Sequence, residues 1–185
     1  MNKSSKTIIL YLLFMAFTVY GAFLHSQELS QIDSKTNVSF KIKNMGVNVA
    51  GAFKEVNITG RFDKNNLSDS YFNATIEVVS INTNNRKRDH HLRSNDYFDA
   101  KKYPVITLNT NKITLKSGNN YQLNANLTIK NTTQKIDIPV EIITDNSNLT
   151  LIAKFKVNRL DYNVGKKKWI MANDAYVTVN YTAKR

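Results

Sequence analysis

The chain of 185 residues contains no cysteine, only two prolines and a single tryptophan. Without cysteine there are no disulfides, no lipid-modified N-terminal cysteine, no thiol nucleophile and no Cys-ligated zinc. Stability therefore depends on the hydrophobic core. Beyond a distinct N-terminal segment, roughly 160 residues are long enough to bury a sizeable core and fit a single domain.

Familiar catalytic signatures are also missing from the sequence. There is no G-x-S-x-G element, no phosphate-binding loop and no G-x-G-x-x-G fingerprint. Serine and aspartate residues occur, but nothing in their spacing suggests a Ser-His-Asp arrangement. The sequence therefore favours a binding protein over an enzyme, and we predict no catalytic residue.

The N-terminus has the composition of a secretory signal peptide. Lys3 and Lys6 precede an almost wholly apolar stretch, residues 7–24, and small residues follow it. This order predicts a signal peptide over residues 1–26 and a mature domain over residues 27–185, located in the periplasm or outside the cell. Because the apolar run approaches the ~18 residues of a membrane span, retention as an anchor is the alternative.

Basic residues outnumber acidic ones, and the formal net charge is +12. Such a charge favours anionic partners. Since an exported protein rarely meets nucleic acid, we expect no nucleic acid, and either an anionic membrane surface as partner or a charge that serves solubility alone. The basic residues form runs at Arg86–Arg88 and Lys166–Lys168, for which solvated loops are the simpler interpretation. Trp169 follows the second run and fits either a membrane interface or a plug at one end of the fold.

Apolar and polar residues alternate along most of the remaining sequence. The clearest stretches are residues 38–42, 123–129, 136–142, 149–157 and 175–181, and less regular ones are 53–62, 72–81 and 104–115. A period of two is typical of strands with one apolar face. The pattern predicts an all-β domain of about eight antiparallel strands, and by itself allows either a sandwich or a closed barrel.

One segment, residues 80–110, combines charge, aromatics and turn residues densely. It contains Ser80-Ile81-Asn82-Thr83, then Arg88-Asp89-His90-His91-Leu92-Arg93-Ser94-Asn95-Asp96-Tyr97-Phe98-Asp99, then Lys102-Tyr103-Pro104-Val105-Ile106. A short helical segment is expected near residues 88–99, and a strand is expected to start at Pro104. In these ordered motifs the chain resembles the YceI-like family of polyisoprenoid-binding, lipocalin-like periplasmic proteins. The resemblance extends from about residue 33 to the C-terminus.

The resemblance implies both a fold and a ligand class. The family forms an antiparallel lipocalin-like barrel, so we expect an eight-stranded barrel, which either holds one small ligand or is filled by side chains. The implied ligand is a polyisoprenoid, a quinone tail or a similar amphiphilic lipid, held for transport, storage or sequestration. We expect no other cofactor. A homodimer is a further expectation, because several family members associate as dimers.

Strand alternation predicts which side chains face the barrel interior. Small residues such as Ala74, Ala125 and Ala153 leave room there, whereas neighbouring aromatic side chains could instead fill it, namely Phe40, Phe53, Phe62, Phe72 and Phe155. The expected cavity-lining residues are Phe40, Ile42, Phe53, Ala74, Ile76, Val78, His91, Leu92, Phe98, Ala125, Leu127, Ala153, Phe155 and Val177. If aromatic side chains fill the barrel, the alternative is a ligand-free periplasmic interaction protein.

Two adjacent histidines, His90 and His91, raise the alternative of a metal-dependent enzyme that also uses nearby aspartates. Neighbouring residues of a helical turn point about 100° apart, so the two imidazoles rarely bind one ion together. We therefore predict no metal site, with His91 either capped by backbone or packed under the loop, and His90 in solvent.

Three charged residues of the same segment, Arg88, Asp89 and Arg93, are expected to tie the loop together. Arginine binds carboxylates through two hydrogen bonds, and aspartate accepts backbone N–H groups. A position at the cavity mouth, next to the polar head of a ligand, is the alternative for these side chains.

Overall fold

The computed structural model describes residues 28–185, so the predicted signal peptide lies outside the described residues. The described part of the chain forms eleven β-strands and one α-helix. The elements are β1 (Ser30–Gln31), β2 (Asn37–Asn44), β3 (Val47–Phe53), β4 (Val56–Arg61), β5 (Tyr71–Glu77), β6 (Ile81–Asn82), α1 (Arg86–Arg93), β7 (Val105–Ser117), β8 (Asn120–Ile129), β9 (Thr132–Thr144), β10 (Asn148–Asn158) and β11 (Met171–Lys184). Short 3-10 helices lie at Asp33–Lys35, Leu67–Asp69, Val78–Ser80 and Arg159–Tyr162. Within these residues no helix is both long and apolar enough to cross a bilayer.

All eleven strands belong to one antiparallel sheet that curls around a common interior as a half-barrel. Neighbours follow the order β4-β5-β7-β8-β9-β10-β11-β2-β3-β6, and β1 pairs with β11 beside this path. The long strands β7 to β11 form most of the wall. Because side chains alternate along every strand, one face of the curled sheet supplies the interior and the other faces solvent.

The β4 end of this strand order lies beside the segment of β1 without forming a continuous ladder. The Gln31 side chain of β1 donates to the Val56 carbonyl at 2.9 Å and accepts from the Ile58 N–H at 2.7 Å. The Leu29 N–H also donates to the Gly60 carbonyl at 2.8 Å. Hydrogen bonds from this N-terminal segment thus replace strand pairing where β4 would otherwise be an open edge.

The predicted all-β barrel is confirmed, with eleven strands rather than eight. The eight predicted strands correspond to β2, β4, β5 and β7 to β11, and the three unpredicted ones are β1, β3 and β6. β1 and β6 have two residues each, which is too short to show alternation. β3 has the sequence VNVAGAF, in which alanine and glycine remove the contrast between the two faces.

The helical segment is shorter than predicted and starts earlier. The Asn85 side chain accepts a hydrogen bond from the Arg88 N–H at 3.0 Å, which caps the N-terminus of α1. The helix ends at Arg93, and Ser94 has an extended backbone. Residues 94–99 form turns instead of continuing the helix to residue 99.

Two clusters of buried side chains lie at opposite ends of the barrel. The first, which we call the aromatic end, contains the buried rings of Phe62, Phe72, Tyr121 and Tyr181. The Phe62 and Tyr121 rings meet edge-on with centroids 5.3 Å apart. The second cluster, the helix end, lies under α1 and the loops that neighbour it, and its buried members are Val78, Tyr97, Ala100, Ile106, Leu127, Ile129, Val157, Tyr162 and Val164.

Candidate functional site: an apolar cavity inside the half-barrel

The interior of the half-barrel contains a cavity of about 210 Å³. It is lined by side chains from α1, from its following loop and from most strands, and nearly all of them are hydrocarbon. A water molecule fills roughly 10–15 Å³ on this scale, so the cavity holds about fifteen water-sized groups. The lining runs along β8 from Leu123 to Ile129, a span of roughly 20 Å at ~3.3 Å per residue. The cavity is therefore long and narrow.

Most of the predicted lining positions border this cavity. They are Phe40, Ile42, Phe53, Ala74, Ile76, Leu92, Phe98, Leu127, Ala153, Phe155 and Val177. The inward face of each long strand thus meets the others around one space, as the alternation predicts. Their contact with a ligand stays a prediction.

Two predicted lining residues, Val78 and Ala125, are buried but do not border the cavity. The predicted strand over residues 72–81 ends at Glu77, and Val78 opens a 3-10 turn in which its N–H donates to the Pro104 carbonyl at 2.8 Å. The turn directs its side chain into the helix-end core. Ala125 lies on the inward face of β8, but its short side chain is fully covered and ends below the cavity surface.

The third exception is His91, which is exposed on α1. Its imidazole meets the Tyr97 ring edge-on with centroids 4.8 Å apart. Tyr97 itself borders the cavity, so His91 packs behind a lining residue and not in the lining. His90 is exposed as well. Among residues 28–185 no group of three or more His, Asp and Glu side chains is placed to hold a metal ion.

The charged residues around α1 tie the loop together, as predicted, with Thr83 at the centre of the network. Asp89 is buried and accepts hydrogen bonds from the Thr83 N–H, at 2.9 Å, and from the Thr83 hydroxyl. Arg88 donates to the Thr83 hydroxyl at 2.8 Å and to its carbonyl at 2.7 Å, and so does not bind a carboxylate. Arg93 donates to the carbonyls of Asp89 and Val79, each at 3.1 Å. Neither arginine borders the cavity.

The lining also contains a buried cation that the hydropathy pattern does not predict. Arg159 follows β10, and its guanidinium donates to the carbonyls of Val164 at 2.8 Å, Lys166 at 3.0 Å and Ala172 at 3.1 Å. No carboxylate of the described residues forms an ion pair with it, since their one salt bridge joins Lys156 to Asp174. Burial lowers the pKa of the Arg159 guanidinium from its usual range. Backbone dipoles therefore carry most of the compensation for this charge.

A second polar group lies at the aromatic end of the lining. Tyr181 has 0% of its surface exposed, and its hydroxyl has no hydrogen-bond partner among the residues that the structure describes. Burial raises the pKa of this phenol to about 12. A buried hydroxyl without a partner costs about 1–3 kcal/mol. The alternation over residues 175–181 already places Tyr181 on the apolar face of its strand, although Tyr181 is not among the predicted lining residues.

A match to a family of known domains places the fold in context. Residues 31–183 match the model of the YceI-like domain. The chain belongs to the YceI-like domain family. Among curated relatives of this YceI-like domain, a UPF0312 protein of Photorhabdus laumondii is 32% identical over 107 residues, which cover 57% of this chain and 55% of the relative. Protein YceI of Escherichia coli is also 32% identical over 107 residues, covering 57% of this chain and 56% of that protein. The matched region thus spans little more than half the length of these relatives.

Solved structures share the fold of this YceI-like domain. The crystal structure of Burkholderia cenocepacia BcnA aligns with a TM-score of 0.80 and 27% identity, over 83% of this chain and 99% of that one. A Campylobacter jejuni YceI protein aligns with a TM-score of 0.68 and 26% identity, over 75% of this chain and 86% of that one. A Saccharophagus degradans domain described as polyisoprenoid binding aligns with a TM-score of 0.66 at 12% identity, over 84% of this chain and 97% of that one, which shows the fold alone.

Proposed function

We propose that this YceI-like domain binds one long-chain apolar ligand inside the half-barrel and carries, stores or sequesters it without chemical change. The ligand class is a polyisoprenoid, a quinone tail or a similar amphiphilic lipid. The observation that carries the proposal is the long, narrow cavity with a lining of hydrocarbon. The polyisoprenoid binding described for the Saccharophagus degradans domain of the same fold supports this ligand class.

Removal of the ligand from water supplies the binding free energy. Each buried CH₂ group contributes about 0.8 kcal/mol, so one five-carbon isoprene unit contributes roughly 3–4 kcal/mol before ordering costs. Room for about fifteen water-sized groups corresponds to roughly three isoprene units. A shorter tail leaves part of the lining without contacts, and a longer tail extends beyond the cavity. Cavity length is thus the first determinant of specificity.

The proposed orientation places the ligand's polar head at the helix end. The aromatic end is closed by the buried rings of Phe62, Phe72 and Tyr181, whereas Leu92 and Phe98 at the helix end are only half-buried. Arg159 lies at the helix end and uses three N–H groups on backbone carbonyls. Since a guanidinium has five N–H donors, two are left for an oxygen of a head group.

Export is part of the proposal. The basic and apolar N-terminal segment is proposed to act as a signal peptide over residues 1–26 and to place the domain in the periplasm or outside the cell. N-terminal sequencing of the purified protein is expected to begin between Phe23 and Glu28. Recovery of the intact Met1 end from a soluble cytoplasmic fraction would contradict export. The homodimer stays a prediction.

Mass spectrometry of organic extracts tests the ligand directly. Protein purified from its native host is expected to release close to one equivalent of a long-chain lipid. The Ala153→Phe variant places a ring in the cavity and is expected to release much less. Ala50→Phe is the matched control, because Ala50 is exposed on β3. Native protein without lipid, which also takes up no polyprenol after incubation, would contradict the proposal.

A further inference from the structure

The β2–β3 hairpin and the loop before β11 form one exposed projection at the helix end. The Met45 N–H donates to the Ile170 carbonyl at 2.7 Å, and Asn44 pairs with Met171 in the sheet. Lys168 pairs with Met171 across a tight turn that has Trp169 and Ile170 at its apex. We call this projection the tip, and define it by the residues Met45, Val47, Lys166, Lys167, Lys168 and Trp169.

The tip exposes large apolar side chains that contribute little to the fold. Trp169 is 98% exposed, Met45 72% and Val47 66%. Within residues 28–185 these are the three most exposed large hydrophobic side chains, and all of them lie on this one projection. Single exposed hydrophobic residues need no explanation, but a cluster of them marks an interaction surface.

The charge of the tip is entirely positive. Lys166, Lys167 and Lys168 are exposed, and Lys43, near the end of β2, is exposed as well. Neither residues 43–48 nor residues 165–172 contain an aspartate or glutamate. The lysines of the tip take part in no salt bridge within the described chain. Their charge is therefore available to an anionic partner.

We propose that the tip docks on an anionic lipid bilayer. Trp169, Met45 and Val47 enter the interface between head groups and acyl chains, and the lysines contact lipid phosphates. Tryptophan is favoured at this depth because its ring is apolar with one polar edge. Lysines beside an anionic surface add attraction that apolar side chains alone lack.

The position of the tip connects docking with the cavity. Val164 and Met171 border the cavity and flank the loop that carries the tip. A lipid leaving the bilayer beside Trp169 would reach the helix end of the cavity without crossing bulk water. This step rests on the proposed function, whereas docking itself does not require an occupied cavity.

Tryptophan fluorescence tests docking of the tip. Trp169 is the sole tryptophan of the chain, so its emission reports on the tip alone. Protein purified after expression of the full chain is mixed with phosphatidylcholine vesicles, with and without phosphatidylglycerol. With phosphatidylglycerol we expect a blue shift of Trp169 emission, quenching by lipids brominated in their acyl chains, and weakening by salt. Emission that stays unchanged would overturn the proposal.

Two charge-matched variants separate the tip from the overall positive charge. Each lysine near an anionic surface contributes about fivefold in affinity, so K166Q/K167Q/K168Q is expected to bind at least tenfold more weakly. The control K112Q/K116Q/K135Q removes three exposed lysines from the barrel wall and is expected to bind nearly as the parent does. Equal weakening in both variants would overturn the proposal. M45S/V47S is expected to reduce quenching by brominated lipids.

The docking proposal and the proposed function can be contradicted independently of each other. Every variant carries the same N-terminal segment, so that segment cannot account for a difference between them. Lipid content is measured by mass spectrometry on the same samples. Docking by protein that contains no lipid and takes none up would contradict the proposed function and leave the docking surface in place. Lipid-loaded protein whose Trp169 emission is unchanged by the vesicles would contradict the docking surface and leave the proposed function in place.

Discussion

The Phe40 ring lies directly against the backbone of Gly51 on the neighbouring strand. A Cβ atom at residue 51 would lie 2.5 Å from Cζ of Phe40 and 2.8 Å from Cγ2 of Thr83. Phe40 borders the cavity, and its ring centroid is 5.8 Å from that of Phe53. The missing side chain at Gly51 therefore lets the ring stay close to the wall, which keeps the interior open.

Gly51→Ala is expected to narrow the cavity and destabilise the domain. The added methyl group must displace the Phe40 ring towards the interior or shift β3, and such overpacking costs typically 1–3 kcal/mol. Urea unfolding and lipid content measure the two effects. In a Phe40→Leu background the same change is expected to cost less, because the contacting ring is absent. An equal cost in both backgrounds would show that Phe40 is not the cause.

The strands that could be predicted from the sequence are those whose two faces differ. β8, β10 and β11 each have one face in the interior and one in solvent, so their sequences alternate. β3 could not be predicted because it has no alternation of apolar and polar residues. Gly51 has no side chain where the Phe40 ring packs, and Ala50 and Ala52 are not polar. Alternation in the sequence indicates which side chains are buried. It does not predict a strand in which a contact with the neighbouring strand determines the size of a residue.

The apolar lining of the cavity could largely be predicted from the sequence, but its buried polar groups could not. The lining residues Phe40, Leu127 and Phe155 follow directly from alternation. Arg159 breaks the hydropathy pattern, because its place in the core depends on three carbonyls brought near by the turn after it. The prediction that Val78 lines the cavity is wrong for a similar reason, since a 3-10 turn directs its side chain away from the inward face of the strand. Both outcomes depend on loop geometry.

Tyr181→Phe tests the orientation of the ligand. The Tyr181 hydroxyl is buried without a partner, so its removal is expected to raise the free energy of unfolding of lipid-free protein by about 1 kcal/mol. If the hydrocarbon tail fills the aromatic end, as proposed, the variant keeps its lipid. If the polar head lay there, the variant would lose a hydrogen bond and hence lipid.

Tyr162→Phe is the matched control for that experiment. Its hydroxyl is also buried without a partner in the described chain, but Tyr162 does not border the cavity. The two variants are therefore expected to gain similar stability, and both are expected to retain lipid. Loss of lipid from Tyr181→Phe alone would reverse the proposed orientation.

Alkaline pH is expected to destabilise the domain through the same two tyrosines. Burial raises the pKa of Tyr162 and of Tyr181 from 10.0 to about 12, and the Asp161 charge adds to the effect at Tyr162. Above pH 10 the unfolded chain releases phenolic protons that the folded chain keeps. The contribution of each buried phenol to the free energy of unfolding is therefore complete below pH 10. It falls as the pH rises towards 12, by about 1.4 kcal/mol for each unit of pKa shift.

Unfolding experiments between pH 9 and pH 12 check this dependence. The double variant Tyr162→Phe with Tyr181→Phe is expected to show a shallower loss of stability across that window. Tyr176→Phe is the control, because Tyr176 is largely exposed. A double variant that loses stability as steeply as the Tyr176 variant would contradict the assignment.

Replacement of both histidines tests the metal-dependent alternative. The double variant His90→Ala with His91→Ala is expected to retain its lipid and to lose no more than about 1 kcal/mol, from the edge contact of His91 with Tyr97. Elemental analysis of parent and variant measures bound metal. Stoichiometric zinc or iron in the parent that is absent from the variant would support a metal-dependent protein instead.

Ala153 and Ala125 lie on inward strand faces and differ in what lies in front of them. Ala153 borders the cavity, whereas Ala125 is fully covered by its surroundings. Ala153→Phe is therefore expected to place its ring in open space, displace the lipid and leave the stability of lipid-free protein nearly unchanged. Ala125→Phe must push neighbouring side chains apart and is expected to cost typically 1–3 kcal/mol.

Thermal melts of delipidated parent and variants separate these outcomes. Delipidation is needed because a bound ligand itself raises the melting temperature of the parent. An open cavity predicts that Ala153→Phe loses lipid but keeps its melting temperature, while Ala125→Phe melts earlier. If both variants melt equally early, the interior around Ala153 is close-packed in solution. A close-packed interior would leave no room for a lipid tail, so this result together with lipid-free native protein would remove the basis for the proposed function.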